Sequence, residues 1–445
     1  MNVVHFSTRL SDGAGRATYR LHKGLQAAGI SSTIVVKHKE EPDDSVIQLF
    51  RNNLSDPANP HGQKKSPIKH AIGSLPFLFR EFQQRKLFSR WQPKTLFNYN
   101  LPFASVSTLD SLLTSADIVC LHSIQYFLST KLIRQIQAVS GAPIVWTMMD
   151  VEPFTGGCHF HEGCEGFVQR CGNCPQMISR SEDDLSRRVW NEKYRDLTNL
   201  PITFVAPTSN IKKLIAKSAL FGNNRTERIP LSVSEIIFRP IEKSVARQAL
   251  GLPLNKNLIV FGAFNLSDHR KGGHLLLEAL GHLSALDKPG HILNQESAAL
   301  VTIGTRNDFD ARNAPIDWIH LGKVNDERIL NLLYHAADVY ACPSVDDVGP
   351  LMINEAYMCQ LPVVAFNSGV APDLISAKGA GRLVECFDTN LFAQALSSIL
   401  HSIATNPLEG SNTLPDLCSS ANQAKQYLNL FGELSGRSEV PDMSS

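Results

Sequence analysis

The chain has 445 residues, 43% of them hydrophobic, and a formal net charge of +1. That length calls for two or three domains with sizeable cores, and the balanced charge excludes a global electrostatic pull toward nucleic acid. No run of about 18 apolar residues occurs, so no membrane-spanning helix is expected. The opening MNVVHFS reads as a strand rather than a signal peptide, which makes a cytoplasmic location the expectation.

Short Val/Ile-rich runs alternate with stretches of helical spacing. Strands are predicted at 3–6, 34–36, 118–121, 144–146 and 203–205, with a loop over 7–15 and a helix over 16–28 closed by Gly29. A second series begins after Ile229-Pro230, with strands at 258–261, 299–303, 318–321, 339–342 and 362–366 and a helix over 272–286. Such alternation implies parallel sheets covered by helices. The polar, proline-containing stretch RTERIPLSVSEIIFRP marks the domain boundary. The expected organisation is an N-terminal Rossmann-like domain over 1–228, a C-terminal one over 229–400, and a helical extension with a polar tail over 401–445.

One segment, 61–94, interrupts the alternation. It holds eight Lys/Arg against one Glu, interleaved with Phe77, Phe79, Phe82, Phe88 and Trp91. Basic residues with aromatics at helical spacing suit an anionic membrane surface; an insertion helix whose aromatics pack on the first domain fits the same pattern.

Four places carry candidate chemistry. The loop Ser11-Asp12-Gly13-Ala14-Gly15-Arg16 lies between a strand and a helix, as a dinucleotide fingerprint would, but the third glycine is replaced by Thr18 and no acid ends the second strand. NAD binding is therefore not expected; Gly13 and Gly15 allow close backbone approach to a ligand. Residues 155–176 place Cys158, Cys164, Cys171 and Cys174 at C-x5-C-x6-C-x2-C spacing, with His159 and His161 as alternative ligands. Four thiolates this close fit a closed tetrahedral zinc site; one or two disulfides, or packed free thiols, fit the spacing as well.

Arg270 and Lys271 follow a predicted strand and open a helix, where cations can take the charge that grows on a leaving phosphate. The fourth place is VYACPSVDDVGPLMINEAYMCQLPVVAF, residues 339–366. Gly349-Pro350 opens a helix whose free N–H groups suit an anion. Asp347 before it and Glu355 along it can hydrogen-bond sugar hydroxyls from two sides.

This last stretch resembles the acidic E-x7-E signature of family-4 retaining glycosyltransferases, with Asp347 at the first acid and Glu355 at the second. Asp268 to Gly272 is similar to that family's donor-phosphate segment, Ile229-Pro230 and Phe238-Arg239-Pro240 to its interdomain entry. TGGCH…CGNCPQ resembles a stretch found in a bacterial polysaccharide subgroup. The resemblance implies a GT-B architecture, two Rossmann-like parallel-sheet α/β domains facing a cleft. It implies transfer of a sugar, with retention, from a UDP- or GDP-sugar to a glycan or lipid-linked acceptor in cell-surface polysaccharide synthesis, without a catalytic metal or nucleic acid.

In that reading Arg270, Lys271, Asp347 and Asp150 are catalytic. Gly13, Gly15, Gly349, Leu351, Met352 and Glu355 bind the donor, and peripheral membrane contact accompanies a lipid-linked acceptor. The subgroup carries His-Asp where this chain has Met149-Asp150, and methionine offers no useful hydrogen bond. His122, after the strand predicted at 118–121, is a further candidate beside the acceptor. Met149 also motivates an alternative, a non-catalytic nucleotide-sugar-binding partner of the same fold. A nucleotide-sugar epimerase or hydrolase is the third reading, and acceptor-dependent loss of donor separates all three.

Overall fold

The computed structural model describes residues 1–49, 86, 89–90, 92–101, 109–178, 181–285, 294, 296–375, 381–405 and 416–436. Most of the basic segment 61–94, with its aromatic residues from Phe77 to Trp91, lies outside the described residues, as does the tail beyond Gly436. No helix among the described residues is long and apolar enough to cross a membrane.

The chain divides into two compact units. The first comprises residues 1–206, 212–227 and 427–445, the second 207–211 and 228–426. The region 401–445 is thus shared: its residues up to Gln426 count with the second unit and those from Tyr427 with the first.

The first unit is built on a seven-stranded sheet of β1 (Asn2–Ser7), β2 (Ser31–Val36), β3 (Val46–Gln48), β4 (Ile118–Leu121), β5 (Ile144–Thr147), β6 (Ile202–Ala206) and β7 (Thr226–Arg228), in the order β3-β2-β1-β4-β5-β6-β7. Pairs from β3 to β6 are parallel, with Val3 opposite Ile118 and Val119 opposite Ile144. Every residue of β4, β5 and β6 is buried. Helices cover both faces of such a sheet, which is why these strands read as continuous apolar runs rather than alternating ones.

The first helix spans Gly13–Ala27, three residues earlier than its apolar spacing indicates. Asp12 is the cause: its Oδ1 accepts from the Gly15 N–H at 2.8 Å, an N-cap that draws the glycines into the first turn. The end agrees with the sequence, since Gly29 adopts the left-handed φ of +79° that terminates helices.

The second unit carries a six-stranded sheet of β8 (Asn257–Asn265), β9 (Ala298–Thr305), β10 (Asp317–His320), β11 (Val339–Cys342), β12 (Val363–Phe366) and β13 (Gly381–Val384), ordered β10-β9-β8-β11-β12-β13 and parallel throughout. Two apolar layers sandwich it. Leu333, Tyr334 and Ile353 belong to one, Leu276, Leu280 and Leu396 to the other.

The last helix, Ser420–Ser435, ends in the first unit. There the buried Tyr427 hydroxyl shares a 2.7 Å hydrogen bond with Thr147 Oγ1 at the end of β5, and Glu433 pairs with Arg225 at 2.5 Å. Tyr427→Phe leaves the buried Thr147 hydroxyl without this partner, and should lower the unfolding free energy by about 1–2 kcal/mol in urea titrations of the intact chain.

Candidate functional site

In the second sheet β9 and β10 step away from β8 to one side, and β11, β12 and β13 to the other. The crevice at the carboxyl ends of β8 and β11 is therefore the topological switch point, where open α/β sheets bind ligands. Two loops meet there. After β8 comes a 3-10 turn, His269–Lys271, capped by Asp268, whose Oδ1 accepts from the Arg270 N–H at 3.1 Å. Gly272 then turns left-handed at φ +72°, and a Cβ on it would lie 1.9 Å from the Pro343 carbonyl oxygen. Only glycine lets the two loops touch. Behind it the Arg270 carbonyl accepts from the Val345 N–H at 2.9 Å and from Ser344 Oγ at 3.1 Å.

This contact brings the predicted cations and the first acid together. Lys271 Nζ forms an ion pair with Asp347 Oδ2. Arg270 pairs with Asp268 at 2.6 Å and donates to the Asp346 carbonyl at 3.3 Å. The other oxygen of Asp347 accepts from the Gly349 N–H at 3.2 Å. The helix Leu351–Met358 begins directly after Pro350 with no side-chain cap, so its first N–H groups face the loop unclaimed by a capping side chain. Met352 lies over Gly262, where a Cβ would come within 2.4 Å of its Cε. Gly349, Leu351 and Met352 thus stand at the same strand ends as Arg270, Lys271 and Asp347.

Glu355 is placed differently. Only 1% of it is exposed, and its Oε2 accepts from the Tyr334 hydroxyl at 2.8 Å within the apolar layer. Burial first, then the charge of Glu355, pushes the Tyr334 hydroxyl well above its ordinary pKa, so it stays a donor.

In the first unit the switch point falls between β1 and β4. The Thr8 N–H donates to the Ser123 carbonyl at 2.7 Å and joins the two strand ends. A Cβ on Gly15 would lie 2.4 Å from the Arg9 carbonyl oxygen, so that glycine is required by the packing of loop on helix. Around Gly13 nothing lies within 4 Å of such a Cβ, which leaves the helix start open on that side. His122 is internal: 2% exposed, with Nε2 3.0 Å from His5 Nδ1 and the two rings stacked. Burial lowers its pKa to about 3, and burial together with His122 and His22 lowers that of His5.

Asp150 follows β5. Its Oδ1 accepts from the Glu152 N–H at 2.9 Å, and its Oδ2 lies 2.7 Å from His159 Nδ1. Burial opposes charge on His159, but Asp150 outweighs it and the pKa is raised. Met148 is fully buried, whereas Met149 is partly exposed beside Asp150. The histidine that Asp150 holds thus comes from the TGGCH stretch, nine residues on. Position 149 gives no sign of this pairing; the only signal is the histidine beside Cys158.

His159, one of the two alternative metal ligands, is therefore turned to Asp150, while His161 lines a cavity of about 20 Å³ together with Cys158, Cys164, Cys171 and Cys174. No disulfide joins any of the nine cysteines in the structure. Among the described residues no group of three or more His, Cys, Asp or Glu is drawn together to hold a metal ion as it stands.

Residues 255–402 match the family described as Glycosyl transferases group 1. Over its length the chain is similar to an Escherichia coli K12 protein carrying the name colanic acid biosynthesis glycosyl transferase WcaC, at 24% identity over 98% of this chain and all of the relative. Among solved structures it is similar to sucrose-phosphate synthase from Thermosynechococcus elongatus, with TM-score 0.59, 17% identity, and 98% and 100% of the two chains covered. It is also similar to Anabaena HepE in complex with UDP-glucose, with TM-score 0.53, 14% identity, and 98% and 95% covered. The fold is GT-B, two parallel-sheet α/β units, and the chain is a glycosyltransferase.

The buried histidine pair generates a pH dependence. A histidine with a lowered folded pKa binds its proton first in the unfolded chain. The stability it contributes is complete above about 6.5 and is lost as pH falls toward the folded value of about 3. His122→Asn removes that proton uptake, and the slope of unfolding free energy between pH 4 and 6 should flatten by up to about 1.4 kcal/mol per pH unit.

Proposed function

We propose that the chain transfers a sugar from a nucleoside diphosphate to a glycan or lipid-linked acceptor in cell-surface polysaccharide synthesis, with retention at the anomeric carbon. The observation that carries the donor side is the meeting of Arg270, Lys271 and the uncapped helix start at Pro350 at one switch point. As the glycosidic bond breaks, negative charge accumulates on the leaving diphosphate. Fixed cations and helix N–H groups lower the energy of that charge in the transition state without reorganising. UDP-glucose in the similar HepE structure supports a nucleotide-sugar donor.

Asp347 takes the first acid's role toward the donor sugar, and the pairing with Lys271 keeps both groups ordered before the donor arrives. Glu355, buried against Tyr334, holds the helix that presents the Leu351 and Met352 N–H groups. Asp150, held by its contact with His159, is the acid on the acceptor side, and Gly13 leaves room there for a ligand to approach the helix start. A lipid-linked acceptor would bring the basic, aromatic segment 61–94 to an anionic membrane surface.

The reading is tested by incubating the purified chain with UDP- and GDP-sugars and cell-surface glycan acceptors. Consumption of donor should depend on acceptor, and the product's anomeric configuration, read by NMR, should match the donor's. Lys271→Ala should lower kcat/KM by about 10- to 150-fold, the kinetic equivalent of losing one charge-assisted contact of about 1.5–3 kcal/mol. Turnover of Lys271→Ala at the wild-type rate would remove the phosphate assignment.

A further inference from the structure

From residue 148 to 184 the first unit has neither strand nor α-helix among its described residues, only two three-residue 3-10 turns, Glu152–Phe154 and Gly166–Val168. Loops beyond about 15 residues without regular structure are uncommon in a compact fold and need another source of order. Part of it comes from the Lys193–Glu152 pair at 2.6 Å and from the bond between the Asn98 N–H and the Gly157 carbonyl at 2.8 Å, both near the loop's beginning. The middle, 158–174, contains the four cysteines.

The surroundings of the thiols suit metal binding. Cys158, Cys164, Cys171 and Cys174 border one cavity of about 20 Å³, room for a single water-sized body. Sulfurs of Cys164 and Cys171 flank one point: a Cβ on Gly166 would stand 3.5 Å from the first and 4.0 Å from the second. Backbone donors already point at sulfur, the Gly156 N–H at Cys171 Sγ (3.2 Å) and the Gly166 N–H at Cys164 Sγ (3.4 Å). Donors of this kind stabilise a thiolate. Gly172 at φ +151° and Asn173 at φ +48° fold the chain tightly between Cys171 and Cys174, the two-residue spacing of a metal knuckle. His161 borders the same cavity, and its buried Nδ1 makes no hydrogen bond.

We infer that this loop holds one structural zinc ion, ligated by Cys158, Cys164, Cys171 and Cys174. The sulfurs stand around the cavity rather than on one point, and ligation asks their side chains to turn inward between staggered rotamers. A set of four sulfurs matches the tetrahedral preference of zinc and leaves no open position, so the ion has no place in the transfer reaction. Its effect is to tie the loop that carries the Asp150–His159 pair. The inference is independent of the proposed sugar transfer, because metal content is read without any assay of turnover.

The test uses the full chain, produced without a histidine tag and purified without added metal or chelator. Elemental analysis should find about one zinc per chain. Cys158→Ser and Cys174→Ser should bring this near zero, while Cys386→Ser, at a thiol outside the loop, and His161→Ala keep it. If the loop variants do not fold, the wild-type chain still decides. Titrating its thiols with an organomercurial should release zinc to a chromogenic chelator in step with the modification of four cysteines. Replacement by cobalt should give the absorption of a tetrahedral thiolate complex. A metal-free protein, iron in place of zinc, or zinc that persists in both loop variants would overturn the assignment, and loss of zinc in His161→Ala would overturn the four-sulfur ligand set.

Discussion

The carbonyl oxygen of Arg270 accepts two hydrogen bonds, from the Val345 N–H and the Ser344 hydroxyl, and the donor side of the site depends on that junction. The two loops leave neighbouring strands and would diverge as the sheet does. Joined at Arg270, and pressed so closely at Gly272 that a side chain has no room, they hold Lys271 within reach of Asp347 and both beside the start of the next helix. The junction is made of backbone and one small hydroxyl, so none of the charged side chains is used to make it. Precise placement of charge is a large part of what a group-transfer site asks of a protein.

The same junction explains how two cations can stand close together. Arg270 and Lys271 are each matched by a carboxylate, Asp268 and Asp347, and all four groups are partly shielded from water. Matched pairs lower the cost of concentrating positive charge at one place. Each cation is thus already partnered by an acid of the same two loops.

What the sequence reveals follows from burial. Strands β4, β11 and β12, with sequences IVCL, VYAC and VVAF, are buried along their whole length, so each is an uninterrupted apolar run and is legible as a strand. The short edge strands β3, β7 and β13, with sequences VIQ, TER and GRLV, carry exposed or half-exposed residues and no such run. The cation and acid segments were legible because strand, turn and helix start follow one another directly in the chain. The partners of Asp150 and Glu355 were not. His159 returns to Asp150 through an irregular turn, and Tyr334 meets Glu355 from a different helix, so neither contact leaves a period in the sequence.

The helix that closes the chain gives the molecule an order of assembly. Tyr427 and Phe431 complete the core of a unit whose other residues end at Glu227, so about 200 residues separate the last of its early segments from the helix that seals it. A ribosome adding roughly 5–20 residues per second needs on the order of 10–40 s to cover that distance. Through that interval the half of the protein that emerges first waits with Thr147 and its apolar neighbours uncovered, while the half made later already has all its strands. The second unit also draws on this segment, with Cys418 in its core and Gln423 bonded to Ser232 and the Pro230 carbonyl, so one terminal stretch completes both. The waiting surface is where a chaperone would have most to protect.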